Sequence, residues 1–278
     1  MVDEQVRKPL DAGKIKSAVC VANSMWQSLD VVAETGSTNA DLIARAARGE
    51  DVVGAVLLAE NQTAGRGRNG RRWSAAPRAQ IAMSVGVPTA GLPPAAWGWV
   101  PLATGLAVVD AVAAVTGIDA GLKWPNDVLA GPDRRKLAGI LAEVATPASV
   151  IVVGVGLNVS YLADELPDHN ATSLAVLGAS NLDRAELVGA LLRELQRRIE
   201  GLTATGGADD ALLAQYTASS LTVSSRVRAT LPGDREVVGD ALAIDDQGRL
   251  RIDSGSGVVV VSAGDIVHLR PIPGSTAG

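Results

Sequence analysis

An almost wholly apolar stretch from Val100 to Val115 constrains the fold of this chain more than any other feature. We predict that it forms one helix, and a helix that is apolar all round has to be covered all round. Pro101, Gly105 and Asp110 interrupt it, and no uninterrupted apolar run in the chain reaches the roughly 20 residues of a membrane span. The sequence therefore predicts a central buried helix of a globular protein.

The composition supports a protein with a substantial core. The 278 residues are 47% hydrophobic and 20% charged, which favours one large domain and a small one over a disordered chain. The net charge of −5 disfavours a general nucleic-acid surface. Cys20 is the only cysteine, which excludes internal disulfides, a cysteine zinc cage and a Cys-x-x-Cys redox pair. The N-terminus lacks a charged segment followed by an apolar one, so we expect a cytoplasmic protein without membrane association.

After an N-terminal extension of residues 1–25, residues 26–220 are predicted to mix short strands with helices. One helix starts after Gly36, where Ser37 or Thr38 can cap it. Its apolar positions recur at helical spacing and predict a buried face of Ala40, Ile43, Ala44 and Ala47. Further strands are predicted at residues 31–34, 53–59, 80–87, 136–144 and 150–155, with a hairpin at 122–128 and helices at 183–200 and 208–219.

The character of the chain changes near Leu221, where short β-type runs begin. Five such runs, separated by Gly and Asp turns, predict a small barrel of a size that folds alone only marginally. We therefore place a second domain at residues 221–272 and a tail at 273–278. The predicted barrel strands are residues 223–231, 236–244, 249–252, 258–261 and 266–269.

The segment from Gln62 to Trp73, called here the Gly/Arg loop, combines three glycines with four arginines. Glycine lets backbone N–H groups approach an anion closely, and arginine offers a planar fork suited to phosphate or carboxylate. Trp73 can present a flat face to a purine, and Gln62 and Thr63 can hydrogen-bond a polar ring. The loop does not end in Gly-Lys-Ser/Thr, so it is not a P-loop. Taken alone, such a run is better explained as a flexible basic loop.

Four further segments accompany the Gly/Arg loop, and in their order the five resemble biotin protein ligase, also called biotin–acetyl-CoA-carboxylase ligase. The resemblance spans residues 33–160, and the family also has a small C-terminal barrel. The lipoate-attaching sister family shares the fold, but GRGRNGRRW and KWPND are more similar to the biotin enzymes. The five segments are Ser37–Asn39, Gln62–Trp73, Lys123–Asp127, Lys136–Glu143 and Gly154–Asn158.

The resemblance implies an α+β fold, with a mixed-sheet catalytic domain of the biotin/lipoate ligase type at residues 26–220 and an SH3-like barrel at 221–272. It also implies a two-step reaction that uses ATP and Mg²⁺, the ion being held chiefly through phosphates. Biotin's carboxylate first attacks the α-phosphate, giving biotinyl-5′-adenylate and pyrophosphate. A lysine amine of a biotin carboxyl carrier protein then attacks the acyl carbon, and AMP leaves. A lipoate or octanoate ligase or transferase of the same fold is the alternative function.

The resemblance further implies roles for individual residues. Lys136 bridges the biotin carboxylate and the α-phosphate, where a fixed positive charge is worth most. Arg68 retains the adenylate, and Asp127 orients Lys136, helps to hold Mg²⁺ or accepts the proton of the incoming amine. The implied biotin-binding residues are Ser37, Thr38, Asn39, Gln62, Gly65, Arg66, Lys136 and Gly139. The implied ATP-binding residues are Arg66, Arg68, Arg71, Trp73, Asn126, Lys136 and Asn158.

Some kinds of site are not expected in this chain, and several of the implied site residues also have a purely structural interpretation. Neither histidine of the chain lies in a matched segment, so we expect no covalent relay through histidine and no zinc site. About thirty residues precede the first segment, too few for a winged helix-turn-helix, so we expect no DNA binding. The structural alternatives are helix capping for Ser37 and Thr38, core anchoring for Trp73, a structural glycine for Gly139, turn stabilisation for Asn158 and a solvated strand-edge position for Lys136.

Overall fold

The computed structural model describes residues 7–73, 76–146, 150–233 and 235–272, so the predicted tail and the first six residues lie outside the described part. Its helices are α1 (Ala12–Val19), α2 (Thr38–Ala47), α3 (Trp99–Thr116), α4 (Arg184–Thr205) and α5 (Asp210–Ser219). The strands of the larger sheet are β1 (Ser28–Val32), β2 (Ala55–Ala59), β3 (Gln80–Pro88), β4 (Ala120–Lys123), β5 (Asp127–Ala130), β6 (Arg135–Ala145) and β7 (Val150–Asn158). Those of the smaller sheet are β8 (Arg226–Thr230), β9 (Glu236–Ile244), β10 (Leu250–Asp253), β11 (Val258–Val261) and β12 (His268–Pro271).

The larger sheet has the strand order β1-β2-β3-β7-β6-β5-β4. β1 and β2 run parallel and the other neighbouring pairs are antiparallel, so the mixed sheet expected from the resemblance is confirmed. The predicted hairpin at 122–128 is β4 and β5, and the predicted partners 136–144 and 150–155 are β6 and β7. β1 differs from its prediction, because it begins at Ser28 rather than Val31.

α3 is the buried helix that its apolar sequence predicted. It packs against α4 and against one face of the larger sheet at β4, β5 and β6. Among the described residues, it is the one helix long and apolar enough to cross a membrane, yet 67% of it is buried inside the protein. Gly117, at φ 71°, ends the helix in the left-handed conformation that glycine adopts without steric cost.

α2 begins where it was predicted to begin but buries a different face. Ser37 is its N-cap, with the first-turn backbone amide 3.4 Å from Ser37 Oγ. The predicted face was wrong, since Ala44 and Ala47 are exposed. A prediction that turns every polar residue toward solvent misplaces the buried face of α2, because the side chains of Thr38 and Asn39 in its first turn hydrogen-bond to the larger sheet. The residues that α2 buries are Thr38, Asn39, Leu42 and Ala46.

The smaller sheet is antiparallel, with the order β11-β10-β9-β8-β12. Its strands confirm the five predicted runs, although β8 starts at Arg226 rather than Val223. β12 starts at His268 rather than Ile266, after a turn of 3-10 helix at Ala263–Asp265. The mixed larger sheet, the antiparallel smaller sheet and the five helices together make the α+β fold of the described residues.

Two buried tryptophans connect the smaller sheet to the rest of the molecule. Trp99 Nε1 donates to the carbonyl of Asp245, and Trp124 Nε1 donates to that of Gly248, each at 3.1 Å. Both carbonyls belong to the turn between β9 and β10, and apolar residues of both sheets form one continuous core. Packing on the larger sheet thus stabilises a sheet that is too small to bury much surface alone. A domain boundary near residue 220 stays a prediction.

The described part of the N-terminal extension docks on the larger sheet through a buried ion pair. Arg184 Nη2, at the start of α4, lies 2.8 Å from Glu60 Oε2 and donates to the Lys8 carbonyl at 2.7 Å. Arg184 Nη1 donates to the Gln80 carbonyl at 3.2 Å. One buried cation therefore holds the extension against both ends of the segment that joins β2 to β3. That segment contains the Gly/Arg loop.

Candidate active site

One cavity of about 840 Å³ lies between the larger sheet and the end of the smaller one. Its wall comes from the N-terminus of α2, the Gly/Arg loop, the turn between β4 and β5, and strands β3, β6 and β7. Arg270 and Pro271 of β12 complete its rim. The structure brings these predicted site residues together along the wall: Ser37, Thr38, Asn39, Gln62, Arg66, Arg68, Arg71, Trp73, Asn126, Asp127, Lys136, Gly139 and Asn158.

Gly65 is the predicted site residue that does not line this cavity. The Gly/Arg loop closes on itself here, since Trp73 N donates to Gly65 O and Gly67 N donates to Arg71 O, each at 2.8 Å. A Cβ at Gly65 would lie 2.5 Å from the Trp73 carbonyl oxygen. Glycine is therefore needed at this position for the loop to close, and Gly65 shapes the loop from behind the wall.

A chain of hydrogen-bonded side chains, the polar chain (Thr38, Asn39, Gln62 and Ser84), occupies one end of the cavity. Thr38 N donates to Gln62 Oε1 at 2.9 Å, and the hydroxyls of Thr38 and Ser84 are 2.7 Å apart. Ser84 Oγ donates to Asn39 Oδ1 at 2.6 Å. Asn39 Nδ2 donates to the Leu141 carbonyl at 3.1 Å, which fixes the orientation of its amide and so the direction of the chain.

Sequence reasoning missed two residues at this end. Ser84 is fully buried, and its signal was a lone hydroxyl in an otherwise apolar strand. Glu143 accepts from Asn39 Nδ2 at 3.0 Å and pairs with Arg66 Nη2 at 3.3 Å. Its signal was its place at the end of a matched segment. Gly154 leaves room for the chain, because a Cβ there would lie 2.4 Å from Asn39 Oδ1.

Lys136 lies midway along the cavity, where its Nζ is 2.6 Å from Asp127 Oδ1. Lys136 and Gly139 are three residues apart, so in a regular strand they would face opposite sides of the sheet. The pairing of β5 with β6 shifts register between Val128 and Leu129, and this bulge turns both residues toward the cavity. The ion pair inside the cavity does not fit a solvated strand-edge lysine.

The indole of Trp73 lies on a floor made of two glycines. Gly139 and Gly156 are direct partners across β6 and β7. A Cβ at Gly156 would lie 2.4 Å from Trp73 Cε2, and one at Gly139 would lie 2.9 Å from Trp73 Cζ3. Lys136 Nζ is 5.3 Å from the indole centroid, within range of a cation–π contact. Trp73 Nε1 donates to Gln80 Oε1 at 2.7 Å, so the indole forms part of the cavity wall rather than a core anchor.

The opposite end of the cavity is closed by contacts between the Gly/Arg loop and the smaller sheet. Arg68 Nη2 donates to the carbonyls of Ala263 and Ile266, the latter at 3.3 Å. Arg68 Nη1 lies 3.4 Å from Asn126 Oδ1. Burial lowers the pKa of the Arg68 guanidinium, an effect that the Asp127 carboxylate opposes. The side chain stays charged, since arginine is not deprotonated in proteins.

Arg71 makes a second contact with the smaller sheet. Its Nη2 donates to the Val267 carbonyl at 3.2 Å and lies 3.0 Å from His268 Nδ1. Burial lowers the pKa of His268, and the positive charges of Arg71, Arg270 and Lys123 lower it further. Sequence reasoning set His268 aside because it lies outside every matched segment. No local pattern could have placed it here.

Two asparagines at the predicted nucleotide end are held by backbone groups. Asn126 Nδ2 donates to the Ile140 carbonyl at 3.1 Å, and Ile140 N donates to the Asn126 carbonyl at 2.9 Å. Asn158 is buried, and its Nδ2 donates to the Thr172 carbonyl at 2.9 Å. The turn-stabilising interpretation of Asn158 therefore fits its contacts. Nucleotide binding by either residue stays a prediction.

Carboxylates are sparse in the cavity. Among the described residues that line it, Asp127 and Asp168 are the acidic side chains. Across the described part of the chain, no three His, Cys, Asp or Glu side chains form a group that could hold a metal ion. Any divalent cation here would therefore depend on oxygen atoms that a ligand brings.

Two family models match the chain. The Biotin/lipoate A/B protein ligase family matches residues 43–158, and the Biotin protein ligase C terminal domain matches residues 225–269. The biotin–[acetyl-CoA-carboxylase] ligase of Mycobacterium tuberculosis is 56% identical over 270 residues, which cover 96% of this chain and 98% of that protein. The bifunctional ligase/repressor BirA of Bacillus spizizenii is 31% identical over 258 residues, which cover 91% of this chain and 76% of that protein.

Solved structures agree with the sequence comparison. The biotin protein ligase from Aquifex aeolicus in complex with biotin and ATP has a TM-score of 0.75 and is 25% identical, with coverage of 89% of this chain and 100% of that chain. The arrangement of helices and strands in this chain thus also occurs in a solved biotin protein ligase. With 56% identity over almost the whole of a named relative, the chain belongs to the biotin protein ligase family.

Proposed function

We propose that this chain is an ATP-dependent biotin protein ligase, which forms biotinyl-5′-AMP and transfers biotin to a specific lysine of a biotin carboxyl carrier protein. One observation carries the proposal, the order of groups along a single cavity. The polar chain contacts Leu141 and Gly154, Lys136 lies against Gly139 and pairs with Asp127, and Arg68 contacts the adjacent Asn126. A ligand made of a polar ring, a carboxylate and a nucleotide would meet these groups in that order. The names of the relatives support biotin as the acid.

The polar chain suits the ureido ring of biotin. That ring presents one carbonyl acceptor and two N–H donors, and the Thr38 and Ser84 hydroxyls and the Gln62 amide can each serve as partners. Met83 and Val155 line the adjoining wall, where they suit the apolar body of biotin. A ring without matching donors and acceptors would gain none of these hydrogen bonds and would bind more weakly.

Lys136 is proposed to act in adenylate formation. An oxygen of the biotin carboxylate attacks the α-phosphorus, the bond to the bridging oxygen breaks, and pyrophosphate leaves with the electron pair. Two anions, the biotin carboxylate and the α-phosphate, have to meet. A unit positive charge about 4 Å from an anion attracts it by roughly 4 kcal/mol at an effective dielectric constant near 20. The 2.6 Å contact with Asp127 supports the orienting role for that carboxylate among the three considered.

Mg²⁺ is proposed as the partner ion of ATP, where it would neutralise charge on the phosphates. The residues present fit this ion. Mg²⁺ is usually held by one or two carboxylates together with substrate phosphates, and Asp127 and Asp168 line the cavity.

In the second step the amine of the carrier lysine attacks the acyl carbon of the adenylate. The acyl–phosphate bond breaks, AMP leaves, and the amine loses a proton. Arg68 is proposed to hold the adenylate until the carrier arrives, because its guanidinium offers several fixed donors at the nucleotide end. Arg66 and Arg71 are proposed to assist with the phosphates of the nucleotide.

The deciding experiment mixes the chain with biotin, MgATP and a biotin-carrier domain, followed by intact-mass analysis. We expect the mass of biotin on one carrier lysine, and pyrophosphate release even before the carrier is added. A carrier with the target lysine changed to arginine is the control and should stay unlabelled. If the complete mixture gave no pyrophosphate and no labelled carrier, the proposal would be overturned.

Lipoate or octanoate transfer by the same fold is the alternative. The polar chain favours biotin, because an aliphatic or dithiolane tail offers no donors or acceptors to its hydroxyl and amide groups. Competition between biotin and lipoate for the carrier distinguishes the two. We also propose a cytoplasmic protein that does not bind DNA, supported by its net charge of −5. A gel shift with operator-like DNA tests that part.

A further inference from the structure

We propose that Gln80 is a positioning residue of adenylate formation, which acts by fixing the indole of Trp73 beside Lys136. The inference rests on the proposed function. Gln80 belongs to none of the matched segments and lies behind the cavity wall, at the start of β3. Its effect on the reaction would therefore pass through Trp73.

The two ends of the Gln80 amide are used unequally. The side chain is buried, with 1% of the residue exposed. An indole N–H can only donate, so the atom 2.7 Å from Trp73 Nε1 has to be Gln80 Oε1. That orientation leaves Nε2 without a hydrogen-bond partner among the described residues. A buried donor left unpaired destabilises a fold, so stability alone does not explain an amide here.

The contact with Gln80 supplies a restraint that the rest of the site does not. Gly139 and Gly156 form a flat floor, which limits tilt of the Trp73 ring but does not oppose a swing about the Cα–Cβ bond that slides the ring across the floor in its own plane. A single directional hydrogen bond at Nε1 stops that swing. The ring atom above Gly139 is Cζ3, and Lys136 Nζ lies 3.3 Å from the Cβ position of the same glycine. An in-plane swing would therefore move the edge of the indole relative to the ammonium.

Gln80 is itself held firmly by the main chain. It is the partner of Asn158 in the β3–β7 ladder. Its carbonyl accepts from Arg184 Nη1 at 3.2 Å, and Arg184 is paired with Glu60 in the protein interior. A continuous set of contacts thus runs from a buried ion pair through Gln80 to the indole that adjoins Lys136.

Two substitutions at Gln80 test the proposal by pyrophosphate release from biotin and MgATP. Gln80→Met keeps the volume and removes the acceptor, and we expect a loss on the order of 10-fold in kcat with little change in the KM for biotin. Its melting temperature should change little, because the substitution removes the unpaired Nε2 donor of Gln80 and leaves Trp73 Nε1 without its acceptor. Gln80→Glu keeps an acceptor oxygen and should recover most of the rate. Gln196→Met, which removes an amide that accepts from Ser24 at 3.0 Å on α4, is the matched control and should leave the rate unchanged.

Two further measurements separate positioning from a merely structural role. In a Trp73→Phe background, Gln80→Met should cause no additional loss of kcat, because the contact is already absent. The chain has five tryptophans, so a ¹⁵N spectrum should show five indole N–H signals. The one that Trp73→Phe removes should shift in Gln80→Met and keep its position in Gln196→Met.

An unchanged kcat in Gln80→Met would overturn the proposal, and so would equal losses of rate and melting temperature in both Gln80 variants. An additional loss in the Trp73→Phe background would also overturn it. Failure of the proposed function gives a different result, since the unmodified chain would then release no pyrophosphate. In that case the indole signal of Trp73 would still report the contact with Gln80.

Discussion

The two ends of the cavity hold their polar groups in different ways. The polar chain lies within the larger sheet, α2 and Gln62 at the start of the Gly/Arg loop, and Thr38, Asn39 and Ser84 are nearly inaccessible to solvent. At the other end, Arg68 and Arg71 extend across to the smaller sheet and donate to backbone carbonyls of the segment that joins β11 to β12. The first end is complete within one part of the fold, whereas the second depends on contact between two.

Hydrogen-bonding requirements explain this difference. A buried hydroxyl or amide is costly to leave unpaired, so the polar chain is closed before a ligand arrives and its direction is set. A guanidinium keeps its charge and has five N–H donors, so Arg68 can share them between carbonyls and a phosphate. The polar-chain end should thus govern which acid binds, and the arginine end should link nucleotide binding to the smaller sheet.

The largest effect is expected between the two ends, at Lys136. Lys136→Ala should lower the rate of pyrophosphate release by about 10²–10³-fold, because a preorganised charge at the reacting atoms is lost. Lys14→Ala is the control, as Lys14 forms an exposed ion pair with Asp183. A near-normal rate in Lys136→Ala would remove this residue from the chemistry.

At the arginine end, Arg68→Ala should release the adenylate. We expect roughly 10-fold weaker use of ATP, corresponding to loss of one or two charge-assisted hydrogen bonds, and biotin attached to bystander lysines. Peptide mapping of the labelled mixture measures this leakage. Arg45→Ala, which removes a surface arginine paired with Asp30, should label only the carrier. Carrier-only labelling by Arg68→Ala would contradict the retaining role.

At the polar-chain end, Ser84→Ala should weaken biotin binding by about 10-fold while leaving the KM for ATP unchanged, since it breaks a closed set of buried hydrogen bonds. Titration calorimetry with biotin alone gives the affinity, and Ser17→Ala on the surface is the control. If Ser84→Ala weakened the affinity for biotin and raised the KM for ATP by the same factor, the two ends of the cavity would not be independent.

The smallest effect is a pH dependence at the arginine end. The pKa of His268 is lowered in the folded protein, so the unfolded chain binds the proton more readily. The groups that face it are Arg71, Arg270 and Lys123, all positive. The stability that the neutral imidazole contributes is present above its ordinary pKa of about 6.5 and is lost as the pH falls through the lowered value. Melting temperatures at pH 7.5 and 5.5 should show about 1 °C of this loss, absent in His268→Gln.

Much of the fold could be predicted from the chain alone. The apolar stretch at 100–115 predicts a helix that has to be buried on every side. The positions of β6, β7 and the five strands of the smaller sheet follow from their runs of apolar residues. The buried face of α2 could not be predicted, because Thr38 and Asn39 turn inward to hydrogen-bond with other elements. Periodicity records polarity and contains no information about partners distant in the chain.

The candidate site divides in the same way. Glycine, arginine and lysine in ordered segments indicated which residues would meet, since these residue types suit anions whatever surrounds them. Gln80 and His268 gave no such signal and Ser84 gave only that of a lone hydroxyl, because their roles come from neighbours 7 to about 200 residues away.

The sequence by itself determined most of the elements and the set of polar segments, because local periodicity and residue chemistry act over short distances, whereas the mixed sheet was expected from the family resemblance and α1 was not predicted. Tertiary structure alone decided that Lys136 and Gly139 share a face, since the bulge opposite Leu129 exists only when β5 and β6 pair. It also decided that the arginines of the Gly/Arg loop meet the backbone of the smaller sheet. Such contacts depend on where two distant segments are placed, and no short window of the chain specifies that.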